Sequence, residues 1–463
     1  MYSIRAFATL ASLLRLASAA DVFAHFMVQN TYAYDINQWK TDMSQAQAIG
    51  VDGFALNWIP PDCVPGLDWT VARINDAFTA AEQVGFKLMH SFDMSYSVCD
   101  VYWNQTFMAS ILSTHAGSSA AYRWNSNLLV STYGGDQVVQ YGNQFFQGLK
   151  NTMQSSNAIS IAPALTTYSM SAQYDASSAA SSLVSDYPSI DGYLNWQAWP
   201  LDVQQNSSVT PDQAFQSALK SKGRAGPYVM AVSPWQYKDL NDGNPLDAWV
   251  AYSDTLFPDR LRQLTSDAIQ PDIIELLSWN DFCESHYLRD LPSQDITAKD
   301  YVELGDMGNY VWGQSHSAWR VIAKYYLHWW KNGSPPAITE DQVVFWHRVH
   351  PKDAVCTGGS STGIRNNDMP EDAVFAWALV SENSTISMTV GSNQYWNFEA
   401  DNSGPTMNMV PFPSDLTGNG VTPIVAIMRN GQLLGVSNSS QAISSDCAYQ
   451  NYNPVVGLVG PGL

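Results

Sequence analysis

The sharpest pair of reactive side chains in this 463-residue sequence is Asp281 and Glu284, inside the run Trp279-Asn280-Asp281-Phe282-Cys283-Glu284-Ser285-His286-Tyr287. Two carboxyls at positions i and i+3 lie close on a turn and about 10 Å apart in an extended loop. Such a pair can split a glycosidic bond. One carboxyl, protonated, donates to the leaving oxygen, and the other, ionised, activates water or attacks the sugar. The range spans both the roughly 5–5.5 Å gap of retaining pairs and the 6.5–9.5 Å gap of inverting ones, so the residues alone leave the stereochemistry open. A helix-capping Asp beside a solvated Glu is the structural alternative. The crowding of Trp279, Asn280, His286 and Tyr287 around the pair favours chemistry, and Asp93, in Ser91-Phe92-Asp93, supplies a third carboxylate.

Other chemistries find less support. Gly359-Ser360-Ser361-Thr362-Gly363 matches G-x-S-x-G but lacks the strand and helix that a nucleophile elbow needs. Cys283 has His286 nearby, yet the adjacent Glu284 disfavours a thiolate, so packing is its expected role. No cysteine or histidine cluster has zinc spacing, and no Gly-rich phosphate loop follows a strand. Neither metal nor cofactor is expected.

The elements that must hold these residues repeat in one rhythm. Short apolar strands are predicted at 22–28, 53–58, 86–93, 128–133, 159–165, 190–199, 228–235 and 273–279, and helices at 36–49, 69–84, 142–153, 211–222, 258–269 and 317–330. Eight βα units whose strands have no wet face predict a (β/α)8 TIM barrel over 21–333, an α/β fold. After the Gly333-Ser334-Pro335-Pro336 break, residues 334–463 read as a β-rich, sandwich-like accessory domain with an Asn430-Gly431 hairpin signal.

In such a barrel the strand C-termini and the loops beyond them build the active site. They offer His25, Asn57, Trp58, Tyr133, Asn195, Trp196, Trp235, Trp279, Asn280, His286 and Tyr287 as substrate-binding candidates beside Asp281, Glu284 and Asp93. Aromatic faces stack on sugar C–H surfaces, while amides, histidines and acids take the hydroxyls. A single strand-end Trp is more often core, and a lone His in an apolar strand is more often a bonded core residue. Asp52 and Asp191 precede Gly at strand starts and read as structural.

Composition narrows the partner. There are 22 Lys and Arg against 42 Asp and Glu, for a formal charge of −20, which argues against nucleic acid and anionic membranes and leaves a neutral polysaccharide. With 45% hydrophobic and 14% charged residues the chain folds, and a monomer is expected. Residues 1–20 read as a secretory signal peptide ending in Ala17-Ser18-Ala19. Sequons at Asn104, Asn206, Asn332, Asn383 and Asn438 agree with export to the exterior or the cell wall. Domain logic pairs Cys63 with Cys99 and Cys356 with Cys447, leaving Cys283 free.

The runs Phe23-Ala24-His25-Phe26-Met27-Val28, Asp52-Gly53-Phe54-Ala55-Leu56-Asn57, Ser91-Phe92-Asp93 and the Trp279–Tyr287 block resemble glycoside hydrolase family 71, the fungal endo-α-1,3-glucanases or mutanases. The resemblance implies a catalytic (β/α)8 barrel with a C-terminal β domain, hydrolysis of α-1,3-glucan with inversion, and Asp281 and Glu284 as the catalytic pair. Cys283 departs from the pattern, where a small residue, usually Gly, is expected. Glu284 is the preferred acid and Asp281 the preferred base, with the labels exchangeable. The rival readings are a barrel glycosidase of another glucan linkage and a non-catalytic wall-binding protein.

Overall fold

A computed structural model describes residues 21–463 except 63–65, 96–100, 155–156, 241–246, 267, 358–362, 392–394, 415 and 417–419. The expected Cys63–Cys99 bridge lies outside the described residues. The strands of the first part are β1 (Asp21–Met27), β2 (Gly53–Trp58), β3 (Lys87–Asp93), β4 (Arg123–Trp124), β5 (Asn127–Tyr133), β6 (Ile159–Ile161), β7 (Tyr193–Asn195), β8 (Tyr228–Val232), β9 (Tyr237–Asp239), β10 (Ala248–Val250) and β11 (Ile273–Leu276). Helices α1 (Ile36–Ala48), α2 (Trp69–Val84), α3 (Gln105–His115), α4 (Asn143–Met153), α5 (Thr166–Ser171), α6 (Ala176–Asp186), α7 (Thr210–Ser221) and α8 (Leu256–Leu264) alternate with them. Then α9 (Gly308–Val311) and α10 (Trp319–Asn332) lead to the second part.

Nine strands form one curled sheet, in which only β4 pairs antiparallel. The other strands run parallel in the order β6-β5-β3-β2-β1-β11-β8-β7. At the two ends of this order, Gly192 N–H donates to Ile161 O and Leu194 N–H to Pro163 O, both at 3.1 Å, across the gap between β6 and β7.

Local chemistry fixes the ends of these elements. Asp35 caps α1 by accepting from the Asn37 and Gln38 N–H groups, and Gly85, at φ +70°, closes α2 in the left-handed region open to glycine. At the strand starts, carboxylates bond backward to the neighbouring strand. Asp52 accepts from Val22 N–H (2.8 Å), Asp191 from Ile161 N–H (2.9 Å) and Asp272 from Tyr228 N–H (2.7 Å). That is the structural role expected of Asp52 and Asp191.

The C-terminal part adds β12 (Gln342–His347), β13 (Ala373–Leu379), β14 (Ser384–Thr389), β15 (Tyr395–Ala400), β16 (Thr406–Pro411), β17 (Ile424–Arg429), β18 (Gln432–Asn438) and β19 (Val455–Val459). They form two four-stranded antiparallel sheets, β16-β13-β12-β19 and β15-β14-β17-β18. Val343, Phe345, Val374 and Ala376 of the first sheet share a core with Ile386, Met388, Val425 and Ile427 of the second. The Asn430-Gly431 pair turns β17 into β18 with φ of +53° and +77°, as a two-residue hairpin of this type requires. The other face of the first sheet packs against α10, where Trp346 meets Trp319 and Trp377 meets Tyr326. Cys356 and Cys447 form a disulfide, and Cys283 is the free cysteine among the described residues. No helix among the described residues is long and apolar enough to cross a membrane.

Candidate active site

Alternation along each strand decides which side chains reach the interior of the curled sheet. Phe23, Ala55, Met89, Leu129, Leu194 and Ile273 pack together inside it. Two or four residues further on, the same parity turns His25, Asn57, Asp93, Tyr133, Trp196 and Glu275 inward. His25 Nδ1 lies 2.8 Å from Glu275 Oε1, both side chains being buried. The Trp196 ring stands edge-on to His25 and 4.5 Å from Tyr133 between centroids. Asp93 accepts from the Ser95 N–H (3.0 Å) and hydroxyl (2.8 Å), which fixes its carboxylate at the end of β3.

The loop after β11 brings the proposed pair together. One ligand-capable atom from each of Asp281, Glu284 and His286 lies within 4.8 Å of the others. Ser278 Oγ accepts from Asp281 N–H at 2.7 Å and lies 3.1 Å from His286 Nδ1. His286 Nε2 is 3.2 Å from Glu284 Oε2 and 3.8 Å from Asp281 Oδ2. Glu284 N–H donates to Asp281 Oδ1 at 3.1 Å. The Trp199 ring lies nearly parallel to His286, with centroids 5.9 Å apart.

Two side chains from the segment after β8 complete the surroundings of Glu284. Gln236 Nε2 donates to Glu284 Oε2 at 3.0 Å, and Lys238 Nζ lies 3.6 Å from Glu284 Oε1. These groups separate the two acids electrostatically. Burial pushes Glu284 up, but the His286 hydrogen bond, the Lys238 ammonium and the Gln236 amide outweigh it and hold the carboxyl at about 2. Burial pushes Asp281 above its usual range, opposed by His286 and reinforced by the charge of Glu284. Burial and the facing charges of Glu284, Asp93 and Asp281 keep Tyr133 protonated, well above the ordinary tyrosine value. The Cys283 thiol is pushed well up by burial and by both acids, so it stays a thiol.

The loop that carries Asp281 and Glu284 is braced from behind by residues distant in sequence. Tyr310 OH donates to Cys283 O at 2.8 Å, and Tyr237 N–H donates to Glu284 O at 3.2 Å. Both tyrosines meet the segment before β19. Asn453 Nδ2 donates to Tyr310 O (2.9 Å), and Tyr237 OH donates to Gln450 O (3.1 Å).

Six expected substrate contacts sit elsewhere. Trp58 faces out of the sheet with no exposure and packs against Trp103 and Phe92. Trp235 is buried beside Trp319, with Nε1 donating to Tyr452 O at 3.0 Å. Trp279 is buried beside Phe54. Asn195 has the outward parity and donates to Asp212, the partner of Arg260. Asn280 exchanges two hydrogen bonds with the Met27 backbone, at 2.7 and 3.0 Å, and so closes the end of β1. Tyr287 stacks on His316 and donates to Gln314 O. These are packing and bracing residues. The sequence reading also missed Gln236, Lys238, Ser278 and Glu275. The signal for the first two was their i, i+2 spacing just past a strand end.

Asp281, Glu284 and His286 could converge on a cation, but the Lys238 ammonium already places positive charge against Glu284. An ionised carboxylate beside one biased toward its proton is the arrangement that acid–base cleavage of a glycosidic bond requires. The model of glycosyl hydrolase family 71 matches residues 18–462. The chain belongs to that family. As a family 71 glycoside hydrolase it is 30% identical to the glucan endo-1,3-alpha-glucosidase agn1 of Schizosaccharomyces pombe, over 95% of this chain and 94% of the relative. It is 29% identical to a mutanase of Penicillium rubens, over 95% of this chain and 89% of that protein. Among solved structures, the GH99 endo-alpha-mannosidase of Bacteroides thetaiotaomicron superposes with a TM-score of 0.46 at 8% identity, covering 68% of this chain and 98% of that one.

Proposed function

We propose that this glycoside hydrolase cleaves internal α-1,3-glucosidic bonds of α-1,3-glucan, with Asp281 as general acid and Glu284 as the ionised partner. The printed names of the relatives supply the linkage. The observation that carries the roles is the placement of the Lys238 ammonium 3.6 Å and the Gln236 amide 3.0 Å from Glu284, which favour its ionised form, while burial favours the protonated form of Asp281. This exchanges the labels preferred from sequence. Asp281 gives its proton to the glycosidic oxygen as the C1–O bond breaks, and Glu284 takes a proton from the water that attacks C1 from the opposite face. Asp93 and His286 hold hydroxyls or tune the pair, with His25, Asn57, Tyr133 and Trp196 lining the floor.

Inversion is the expected outcome. A nearest-atom approach within 4.8 Å is shorter than the roughly 6.5–9.5 Å gap between the carboxyl groups of inverting pairs. The approach lies closer to the roughly 5–5.5 Å gap of retaining pairs, so inversion rests here on the family resemblance and the anomer of the first product is the measurement that decides it. The wider reading is a closed (β/α)8 catalytic barrel over 21–333, supported by the Gly192 and Leu194 hydrogen bonds across the seam. An accessory β domain over 334–463 follows, on a protein exported to the cell exterior or wall.

Sugar release from α-1,3-glucan but not β-1,3-glucan is the expected result, and the reverse preference removes the linkage assignment. Asp281→Asn and Glu284→Gln should each lower kcat by about 10²–10⁴-fold. Near-native activity in either variant would show the pair to be misassigned, and binding of insoluble glucan without release would favour a wall-binding protein. NMR of the first-formed anomer reads the stereochemistry, with the β-anomer expected.

A further inference from the structure

A cavity of about 370 Å³ opens between segments that follow three neighbouring strands. Residues 29–33 come after β1, Trp69 begins α2 after β2, and residues 296–303 lie in the long connection after β11. These strands are adjacent in the order β2-β1-β11, so the cavity shares the end of the sheet that carries Asp281 and Glu284. One hydrogen bond links the lining to the loop that carries the two acids. Asn30, in the cavity lining, donates from Nδ2 to Asn280 O at 2.9 Å, one residue before Asp281.

The lining has the chemistry of a sugar site. Tyr32, 70% exposed, stands edge-on to Trp69 with ring centroids 5.4 Å apart, and Tyr301 also lines the cavity. Glu303 is the one charged residue in the lining. Gln29 adds an amide whose Oε1 and Nε2 are both shielded from water and find no partner among the described residues. A buried amide without partners destabilises a fold, and turning this side chain into the cavity would let a bound hydroxyl complete its bonds. An exposed Tyr32 against a half-buried Trp69, in a nearly neutral wall, suits an uncharged pyranose, whose C–H face stacks while its hydroxyls meet an amide.

We infer that this cavity is a distal glucosyl-binding subsite that grips the glucan chain away from the cleaved bond. A glucosyl unit stacks on Tyr32 and Trp69, and its hydroxyls engage Gln29 as that side chain turns toward the cavity. The inference rests on the α-1,3-glucan reading above. It predicts that catalytic efficiency climbs with chain length because longer substrates reach this cavity.

The test uses the full-length enzyme, α-1,3-linked glucose oligomers of increasing length, and the variants Tyr32→Ala and Gln29→Leu. The exposure of Tyr32 keeps the first variant clear of the core. Each should lower the ratio of kcat/KM for long over short oligomers by about fivefold or more. Gln29→Leu should do so without lowering the thermal midpoint, since it removes an unpaired buried amide. An unchanged ratio in both variants, with an active parent, overturns the subsite alone. A parent that releases no sugar from α-1,3-glucan overturns the substrate reading, and the glucosyl assignment with it.

Discussion

At the scale of single residues, the proposed division of labour between the two acids rests on His286, Lys238 and Gln236, which hold Glu284 down against its burial. Lys238→Met removes the ammonium 3.6 Å from Glu284, so the Glu284 carboxyl rises from about 2. The base must be ionised to work. The acidic limb of kcat/KM against pH should therefore move to higher pH, while the alkaline limb, set by loss of the Asp281 proton, moves much less. An acidic limb that stays in place would mean that Lys238 does not hold Glu284 ionised. Asp281 and Glu284 were legible in the sequence because one short run carries both carboxyls among aromatic residues. Lys238 was not, because it arrives from the hairpin after a different strand and looks in sequence like any surface lysine. Ser278 and Glu275 were hidden for a related reason: each works by contact with a histidine, His286 or His25, that sequence spacing does not bring near.

At the scale of elements, parity separates the residues that face the sheet interior from those that face the helices. Trp58 and Asn57 are consecutive, yet Asn57 points inward while Trp58 packs between β2 and α3, against Trp103 and Phe107. Trp58→Ala should cost about 3–5 kcal/mol of stability. That would appear as a lower denaturation midpoint, with KM for glucan little changed in the molecules that remain folded. A raised KM at unchanged stability would return Trp58 to the sugar site. Strand positions were legible from near-continuous apolar runs, and 53–58 matches its observed bounds. Parity was not legible, for the same physical reason. A parallel strand covered on both faces has no polar side to mark which residues point in. The opposite failure hid β18, whose Leu433, Leu434 and Val436 are all exposed, so its pattern shows no buried face.

At the scale of the whole molecule, the two parts meet through buried polar groups as well as aromatic packing. Asp254 accepts from Glu371 N–H at 2.8 Å, and its carbonyl accepts from Trp346 Nε1 at 2.9 Å. Burial, opposed by the Glu371 N–H and Arg348, pushes its carboxyl up to about 7. The folded chain thus keeps a proton that the unfolded chain releases above its ordinary value of 3.8, and stability falls as pH rises from there to about 7. Asp254→Asn has no such proton to lose. Its melting temperature should exceed that of the parent by a margin that widens from pH 4 to pH 7, and a constant margin would show Asp254 ionised in the fold. The Gly333 break was legible in sequence, but this junction was not, because its partners lie 92 and 117 residues apart. The same distance governs when the enzyme becomes competent. Gln450 and Asn453 hold Tyr237 and Tyr310, which hold the backbone of Glu284 and Cys283. Those bracing residues follow every strand of the parallel sheet in the chain, so a ribosome-bound chain can complete its parallel strands while the loop that carries Asp281 and Glu284 still lacks its support. Support for that loop thereby waits on the strands of the second part, and a cut between β18 and β19 should withdraw it while the curled sheet stays whole.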